Sequence, residues 1–233
     1  MLGYRKMLDK IRAIKKLDYV KTHRSGNTGV GKTLEDLLGI MENNIPGPNG
    51  KMIELKSART NATSMLTLFT KSPSPVKANS LLLNKIGYKS SNGRKELHTT
   101  LNALNFNNIK GKPGLQISVK RNKLVIIDPK GNEYGYWDKE TLKKSFERKL
   151  PKIVYVKAES RGNGAKEEFW YNEAWLLKGF SFANFIKLIN DGVVLVDVRI
   201  GQYSDGRPHD HGTGFRVSPK KLDMCFSNRK RIV

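Results

Sequence analysis

Hydrophobic residues near the start of the chain recur at helical spacing. Met7, Ile11 and Ile14 fall on one face of the segment 4–17, and lysines and arginines lie between them. This pattern predicts an amphipathic helix with a basic outer face.

A second helix is predicted after a polar, glycine-rich stretch at 24–29. Thr33 is the predicted N-cap of this helix, which continues to Met41. The segment 43–50 is rich in Asn, Pro and Gly, so it predicts a turn that separates the helical part from the strands that follow.

Short apolar runs predict the strands. The runs at 52–56 and 65–70 predict two strands of the same sheet. Further predicted elements are strands at 115–119, 123–127, 152–157, 167–171 and 193–200, and a helix at 181–190.

The charge of the chain changes the interpretation of this pattern. Lys and Arg total 43 against 21 Asp and Glu, a net charge of +22, and residues 57–127 hold twelve of these cations but only one acid, Glu96. Such an excess favours a polyanionic partner, with nucleic acid ahead of an acidic membrane surface. The segment 71–108 has few periodic apolar positions, so parts of it are expected to order only on DNA.

Length and cysteine content set further bounds. The 233 residues suffice for one sizeable domain or two small ones, and no window approaches a membrane span. A single cysteine, Cys225, excludes an intramolecular disulfide and favours a reducing cytoplasm. No long apolar run follows the N-terminal residues, so no secretory signal is expected.

The segment Gly26–Thr33 matches the phosphate-loop pattern G-x-x-x-x-G-K-[ST]. The loop should follow a buried apolar strand, and residues 19–24 are a poor one. The acidic strand that would hold Mg²⁺, at 193–197, comes much later in the chain. A loop that leads into a helix N-terminus is therefore favoured, and loss of nucleotide binding in Lys32→Ala would support nucleotide hydrolysis instead.

The segment 48–56 carries a different chemistry. Alternate residues of a strand face the same side, so Glu54 and Lys56 project together. A carboxylate beside an ammonium suits phosphodiester hydrolysis, since the carboxylate holds Mg²⁺ and the lysine orients water or stabilises charge. Alone, this E-x-K spacing is weak, because a surface ion pair on a strand has the same pattern.

Four blocks in order make the pattern specific. They are the helix segment 29–38, the E-x-K of 54–56, LTLFTKSP at 66–73, and VDVRIG at 196–201 followed by HDHGTGFR at 209–216. From about residue 24 to 217 the chain resembles the MvaI/BcnI group of restriction endonucleases, relatives of the nicking enzyme MutH. This resemblance implies an α/β fold of the PD-(D/E)xK restriction-endonuclease type, with a central mixed β-sheet flanked by helices.

The resemblance also implies roles for individual residues. Glu54 would be the principal metal ligand, Lys56 the catalytic lysine, and Glu35 would help hold a second metal or its water. The implied catalytic residues are Glu54, Lys56, Asn49 and Glu35, and the implied ligands of Mg²⁺ are Asn49, Glu54, Leu55 and Glu35.

The implied DNA-binding residues are Asp197, Arg199, Tyr203, His209, His211, Arg216 and Lys71. Asp197 and Arg199 would read base edges in the major groove, where Asp accepts from cytosine and Arg pairs with guanine. Tyr203 would touch the minor groove. His23 and His98 are expected to be ordinary surface residues.

One position departs from the family pattern, which has aspartate where this sequence has Asn49. Loss of the charge should weaken metal binding. The chain is then a variant disabled to trap DNA, a natural protein with altered activity, or a protein in which another acid such as Glu42 substitutes. The first is favoured, because Asp→Asn nearly preserves shape.

The resemblance implies a type II restriction endonuclease that binds double-stranded DNA as a monomer and cuts a short CCNGG- or CCGG-like site. The alternatives are a catalytically silent DNA-binding relative and a MutH-like nicking enzyme. A prokaryotic cytoplasm and a cognate DNA methyltransferase, encoded alongside rather than bound, are expected.

The predicted organisation is a single nuclease chain over 1–233. Its catalytic subdomain would take approximately 1–75 and part of 110–190, and its DNA-recognition subdomain approximately 76–110 and 190–220.

Overall fold

The computed structural model describes residues 4–40, 53–112, 114–150 and 152–233. In chain order its helices and strands are α1 (Tyr4–Lys15), β1 (Val20–Lys21), α2 (Gly29–Leu38), β2 (Glu54–Arg59), β3 (Leu66–Thr70), α3 (Ala78–Lys85), β4 (Tyr88–Lys89), β5 (Lys95–Leu101), β6 (Gln116–Val119), β7 (Lys123–Ile127), β8 (Glu133–Asp138), α4 (Lys139–Lys149), β9 (Lys152–Arg161), β10 (Glu168–Lys178), α5 (Phe182–Asn190), β11 (Val194–Gln202), β12 (Pro208–Asp210), β13 (Gly214–Val217) and β14 (Asn228–Arg231). Short 3₁₀ helices lie at Gly164–Lys166 and Pro219–Met224. No helix among these is long and apolar enough to cross a membrane.

The chain forms two units. The first contains Met1–Ser64, Arg148–Phe180 and Leu222–Val233, and the second contains Met65–Glu147 and Ser181–Lys221. The first crossing between the units falls at Ser64, and the strands at 116–138 lie in the second unit. The division into a catalytic and a DNA-recognition subdomain stays a prediction.

The first unit is built on a mixed sheet with the order β1–β10–β9–β2, and β14 also pairs with β10. Its described pairings are antiparallel except that of β2 with β9, which is parallel. Among the described strands of this sheet, β2, the strand with the E-x-K spacing, lies at the end of the order. A mixed sheet with flanking helices confirms the predicted fold class.

The helices α1 and α2 cover one face of this sheet. The core there combines their apolar faces with β2, β9 and β10, and its members include Met7, Ile11, Leu34, Leu38, Val154, Phe169 and Tyr171. The predicted first helix is confirmed as α1. The lone cysteine, Cys225, is fully buried in the C-terminal part of the unit.

The prediction that Thr33 caps the second helix is wrong. The helix α2 begins at Gly29, and Thr33 is a buried residue inside it whose hydroxyl accepts a hydrogen bond from the His23 amide. The helix starts earlier because its buried stripe already begins at Gly29 and Val30. The predicted end at Met41 and the turn at 43–50 lie outside the described residues.

The second unit contains a six-stranded antiparallel sheet with the order β3–β13–β11–β5–β4, in which β12 also pairs with β11. A three-stranded sheet is formed by β6, β7 and β8. Predicting 52–56 and 65–70 in one sheet was wrong, because β2 pairs with β9 and β3 with β13. The segment 71–108, predicted to order partly on DNA, contains α3, β4 and β5.

Aromatic rings fill the core of the second unit. Phe215 of β13 stacks on Phe69 of β3 at 5.0 Å between centroids, and it contacts Phe185 of α5 at 5.2 Å. Phe146 of α4 contacts Phe185 at 5.1 Å, and Trp137 of β8 contacts Phe215 at 5.5 Å. These contacts join both helices and the small sheet to the large sheet.

Candidate active site and nucleic-acid interface

The E-x-K pair lies on β2 as the strand alternation predicts. Lys56 Nζ is 3.1 Å from Glu54 Oε1, and both side chains are largely shielded from solvent. The second carboxylate oxygen, Glu54 Oε2, is buried and has no hydrogen-bond partner among the described residues. A buried carboxylate oxygen left without a partner is costly, so this atom is suited to a ligand.

Among the described residues, no group of three or more His, Cys, Asp or Glu side chains is placed to hold a metal ion. Mg²⁺ takes oxygen ligands, and Glu54 Oε2 fits that requirement. The Leu55 side chain is buried in the core, so only its main-chain carbonyl is available as a ligand. Asn49 and the alternative acid Glu42 lie outside the described residues.

Glu35 lies in a groove of about 270 Å³ at the start of α2. Lys32 of α2 and Ser57 of β2 also line this groove. Ser57 is one residue out of phase with Glu54 and Lys56 along β2. Its side chain, and therefore the groove, lies on the face of β2 that packs against α2. Whether Glu35 contributes to the metal site therefore stays a proposal.

The phosphate-loop pattern has a structural explanation in the same place. The strand before it, β1, has only two residues, and α2 begins inside the pattern at Gly29. A Cβ at Gly29 would lie 2.2 Å from the Arg24 carbonyl oxygen, so this position requires glycine for close packing. Lys32 pairs with Asp36 at 2.8 Å. Gly29, which lies within the pattern, is thus explained by the close packing of the preceding loop against the start of α2.

Arg59 anchors the end of β2. Its guanidinium forms two hydrogen bonds of 2.6 Å to the Glu167 carboxylate, and it donates to the Gly26 carbonyl at 3.0 Å. The hydrogen bond to Glu167 raises the pKa of Arg59, although burial opposes it. The bidentate pair ties β2 to the residue before β10, and the bond to Gly26 ties β2 to the glycine-rich loop.

Tyr155 of β9 is a neighbour that sequence reasoning missed. The parallel register places Tyr155 beside Lys56, and burial raises the pKa of its phenol to about 12. The phenol therefore stays neutral next to the Glu54–Lys56 pair. Only the pairing of β2 with β9, which no local pattern encodes, brings it there.

The predicted DNA-binding residues Asp197 and Arg199 lie on β11 of the second unit. Val196, Val198 and Ile200 are fully buried, so Asp197 and Arg199 occupy the opposite face. We call this the recognition face, comprising Asp197, Arg199, Arg216, Tyr203, His209, His211, Thr100 and His98.

Asp197 is buried beneath the two arginines. Its Oδ2 lies 2.5 Å from Arg199 Nε and 3.0 Å from Arg216 Nε, while Oδ1 accepts from the Thr100 hydroxyl at 3.1 Å. Arg216 Nε makes no aligned hydrogen bond, and burial lowers the pKa of Arg216. Direct base contact by Asp197 would require these pairs to rearrange. In this arrangement Asp197 orients the arginines.

The hairpin from β11 to β12 carries the remaining predicted side chains. Tyr203 is 45% exposed, and its hydroxyl lies 2.6 Å from His209 Nδ1. The His209 and His211 rings meet at 4.4 Å. Lys71 directly follows β3, which is separated from β11 by β13 in the sheet. Its amide donates to the Thr213 carbonyl and so continues the pairing of β3 with β13.

Asp210 was assigned no role from the sequence. Its carboxylate accepts hydrogen bonds from Ser72 Oγ at 2.6 Å, Asn79 Nδ2 at 3.2 Å and the Gly212 and Thr213 amides at 2.8 and 2.6 Å. Burial raises the pKa of Asp210, but these hydrogen bonds outweigh it, so the net pKa is lowered. The carboxylate fixes the segment between the two histidines.

Comparison with known proteins identifies the class of protein to which the chain belongs. The first unit is a mixed sheet flanked by helices, and its strand β2 carries the Glu54–Lys56 pair. The chain matches the structure described as "Restriction endonuclease MvaI-cognate DNA substrate complex" with a TM-score of 0.87 and 34% identity over 97% of this chain and 96% of that chain. "Restriction endonuclease MvaI in the absence of DNA" matches with a TM-score of 0.60 and 33% identity over 98% and 97%.

The chain belongs to the MvaI/BcnI restriction endonuclease family, whose profile matches residues 8–226. It is therefore a restriction endonuclease, which confirms the resemblance seen in the four sequence blocks. A comparison with curated proteins returned no match.

Proposed function

We propose that this chain binds a short CCNGG- or CCGG-like site in double-stranded DNA as a monomer and hydrolyses it with Mg²⁺. The observation that carries the catalytic part is the buried Glu54–Lys56 pair, with Glu54 Oε2 left without a partner in the described part of the chain. The similarity to an MvaI–DNA complex supports double-stranded DNA as the substrate.

The metal would be held by Glu54, the Leu55 carbonyl and, from outside the described residues, Asn49, with Glu35 assisting. When bound, Mg²⁺ would neutralise the negative charge that develops on the phosphate and would lower the pKa of the attacking water. Asn49 lacks the negative charge of the family aspartate, so we expect weaker metal binding and a cleavage-deficient chain.

The protein side chains divide the remaining tasks. Lys56 Nζ orients the attacking water and stabilises negative charge at the phosphate, because Glu54 holds the ammonium 3.1 Å away. Arg59 keeps β2 in place through Glu167. Hydrolysis adds water across one phosphorus–oxygen bond.

Sequence recognition would fall to the recognition face of the second unit. Arg199 is the most exposed of its charged side chains, with 45% of its side chain accessible. A bidentate arginine contact to guanine is the commonest specific contact in the major groove. Tyr203 is exposed enough to touch the minor groove, and Lys71 would contact the DNA backbone.

A monomer with one active site must cut the two strands in separate events. We place this activity in a prokaryotic cytoplasm, alongside a methyltransferase that protects the same site without forming a complex. The restriction-endonuclease family supports both expectations.

The decisive experiment is plasmid cleavage with Mg²⁺. It compares the chain with Asn49→Asp, with Lys56→Ala in the Asn49→Asp background, and with the control Lys187→Ala in that background. Lys187 is exposed on α5 and pairs with Asp191, so its loss should leave cleavage unchanged. We expect discrete fragments from Asn49→Asp and a loss of at least about 100-fold in Lys56→Ala.

Other outcomes would replace the proposal. If Asn49→Asp only nicks the plasmid and never linearises it, the chain is a nicking enzyme like MutH. If neither protein cuts DNA of diverse sequence but both bind it, the chain is a catalytically silent DNA-binding relative.

A further inference from the structure

Three of the four histidines of the chain converge on the recognition face. The sequence already places His209 and His211 close together, but His98 comes from a distant segment. The His98 and His211 rings meet edge to face at 5.9 Å, and His211 meets His209 at 4.4 Å. His98 is exposed and belongs to the same cluster.

The strand register explains how His98 reaches this cluster. In the antiparallel pairing of β5 with β11, His98 lies directly opposite Arg199, and Thr100 lies opposite Asp197. Side chains of directly opposed residues are neighbours on one sheet face. His98 is therefore the cross-strand neighbour of the arginine that is proposed to reach the bases.

The main chain at His98 is held by β4. The Tyr88 hydroxyl lies 3.4 Å from both the amide and the carbonyl oxygen of His98, and Tyr88 supports Lys110 on its ring at 3.8 Å. The imidazole thus projects from a fixed strand position rather than from a loop. A side chain on a strand is placed more reproducibly than one on a loop.

The His211 ring is also held in place. It lies over Gly201, where a Cβ would come within 2.4 Å of His211 Nε2. Burial, together with the charges of His209 and His98, lowers the pKa of His211, so this ring is protonated less readily than an isolated histidine.

We propose that His98 is a specificity-determining residue that hydrogen-bonds a base edge in the groove entered by Arg199; this rests on the proposed DNA-binding function. A neutral imidazole carries one donor and one acceptor. Base edges in the major groove present both donors and acceptors, whereas phosphates present acceptors alone. The position opposite Arg199 directs His98 to a base pair next to the one that Arg199 reads.

The test is equilibrium binding without metal, measured by fluorescence anisotropy. The probes are short duplexes with CCNGG for each central base, CCGG, single substitutions at each outer base, and an unrelated sequence. The proteins are wild type, His98→Ala, His98→Gln, and Lys89→Ala as an exposed cation of the same sheet.

We expect His98→Ala to bind the preferred duplex roughly 2- to 10-fold more weakly, as loss of one hydrogen bond predicts. Binding to the unrelated duplex should not change, so discrimination at one or two base pairs is reduced. His98→Gln, which keeps a donor and an acceptor, should recover part of that discrimination. Lys89→Ala should leave the base preference intact.

Two results would overturn the inference alone: an equal loss of affinity for all duplexes in His98→Ala, or no loss at all, while the wild type discriminates between duplexes. A wild type that binds every duplex equally would overturn both this inference and the proposed function. The two failures are therefore distinguishable.

A second measurement does not depend on a variant's affinity. The four histidines give few imidazole signals in NMR spectra, and His98→Ala identifies the His98 signal by its loss. The preferred duplex should shift this signal more than the unrelated duplex does. An unshifted signal at saturation would overturn the inference.

Discussion

The Asp210 carboxylate accepts hydrogen bonds from Ser72, Asn79 and two main-chain amides of the HDHGT segment. His209 and His211 flank it in the chain. Because adjacent residues of an extended segment point to opposite sides, holding Asp210 inward turns both histidines outward. The half-buried carboxylate of Asp210 therefore orients the two histidine side chains at the surface.

Asp210→Asn should destabilise the protein by about 1–3 kcal/mol at neutral pH, since hydrogen bonds to a charged acceptor are lost. The folded-state pKa of Asp210 is lowered, so its stabilisation is present above the ordinary pKa of 3.8 and disappears as pH falls through the folded-state pKa. The difference between variant and wild type should shrink in that acid range. Urea denaturation at neutral and acid pH measures it.

The control is Asp191→Asn on the exposed end of α5, where one ion pair with Lys187 is lost. It should change stability by less than about 1 kcal/mol. If Asp210→Asn is no worse than this control, the carboxylate does not hold the segment.

The relative placement of functional side chains could be predicted from the sequence where all of them lie on a single strand. Glu54 and Lys56 are two residues apart, so alternation alone puts them together. The surroundings of Asp197 were not predictable, because Thr100 and Arg216 come from two other strands. His98 is exposed, as predicted for a surface residue, but its contact with His211 joins two distant segments of the chain and was not predictable.

At the scale of elements, α2 explains a motif that imitates a phosphate loop. Gly29→Ala should destabilise the protein by about 1–3 kcal/mol, because the new methyl group would collide with the Arg24 carbonyl. Gly31→Ala is the matched substitution two residues later in the same helix. Its Cβ would lie 3.6 Å from Ser57 Oγ, an ordinary contact, so a gain of about 0.5–1 kcal/mol is expected. Thermal unfolding of the two variants compares them directly, and equal effects would contradict this account.

The strand β11 allows a test of the histidine cluster. Gly201→Ala places a methyl group 2.4 Å from His211 Nε2, so the ring must move towards solvent. Since burial and the neighbouring histidines lower the pKa of His211, that pKa should rise towards the ordinary 6.5. An NMR titration of the imidazole signals measures the change, with His23 of the first unit as internal control. An unchanged His211 pKa would show that the ring does not rest on Gly201.

Elements with continuous apolar runs, such as β7, β9 and β11, were predicted close to their observed positions. The helix α4 was missed because Leu142 and Phe146 are its only strongly apolar residues, and the rest of the helix is highly charged. Sheet membership was wrong for β3, since its partner β13 lies far along the chain. Local patterns identify strands but do not select their neighbours.

At the scale of the whole molecule, the net charge of +22 should dominate affinity for DNA. Each phosphate contact releases counterions, so the logarithm of the binding constant should fall with the logarithm of salt concentration by about 0.9 per contact. With roughly 6–10 contacts, affinity should fall by about 10³–10⁵ between about 50 and 200 mM salt. Anisotropy titrations at several salt concentrations measure the slope. A nearly flat dependence would contradict an electrostatic interface.

The family could be predicted from the sequence because its blocks keep their order along most of the chain. The two units could not be delimited, because the chain enters the first unit three times and the second unit twice. The chain passes from the first unit to the second at Ser64 and again at Phe180. The segments on both sides of each boundary contribute strands, so no local signal marks it.

The buried Cys225 makes the molecule convenient for spectroscopy. Burial raises the pKa of its thiol to about 12, so almost no reactive thiolate is present near neutral pH. A dye can therefore be attached to a cysteine introduced on the surface without labelling the native one. The slow reaction of Cys225 itself would then record how often the C-terminal segment opens.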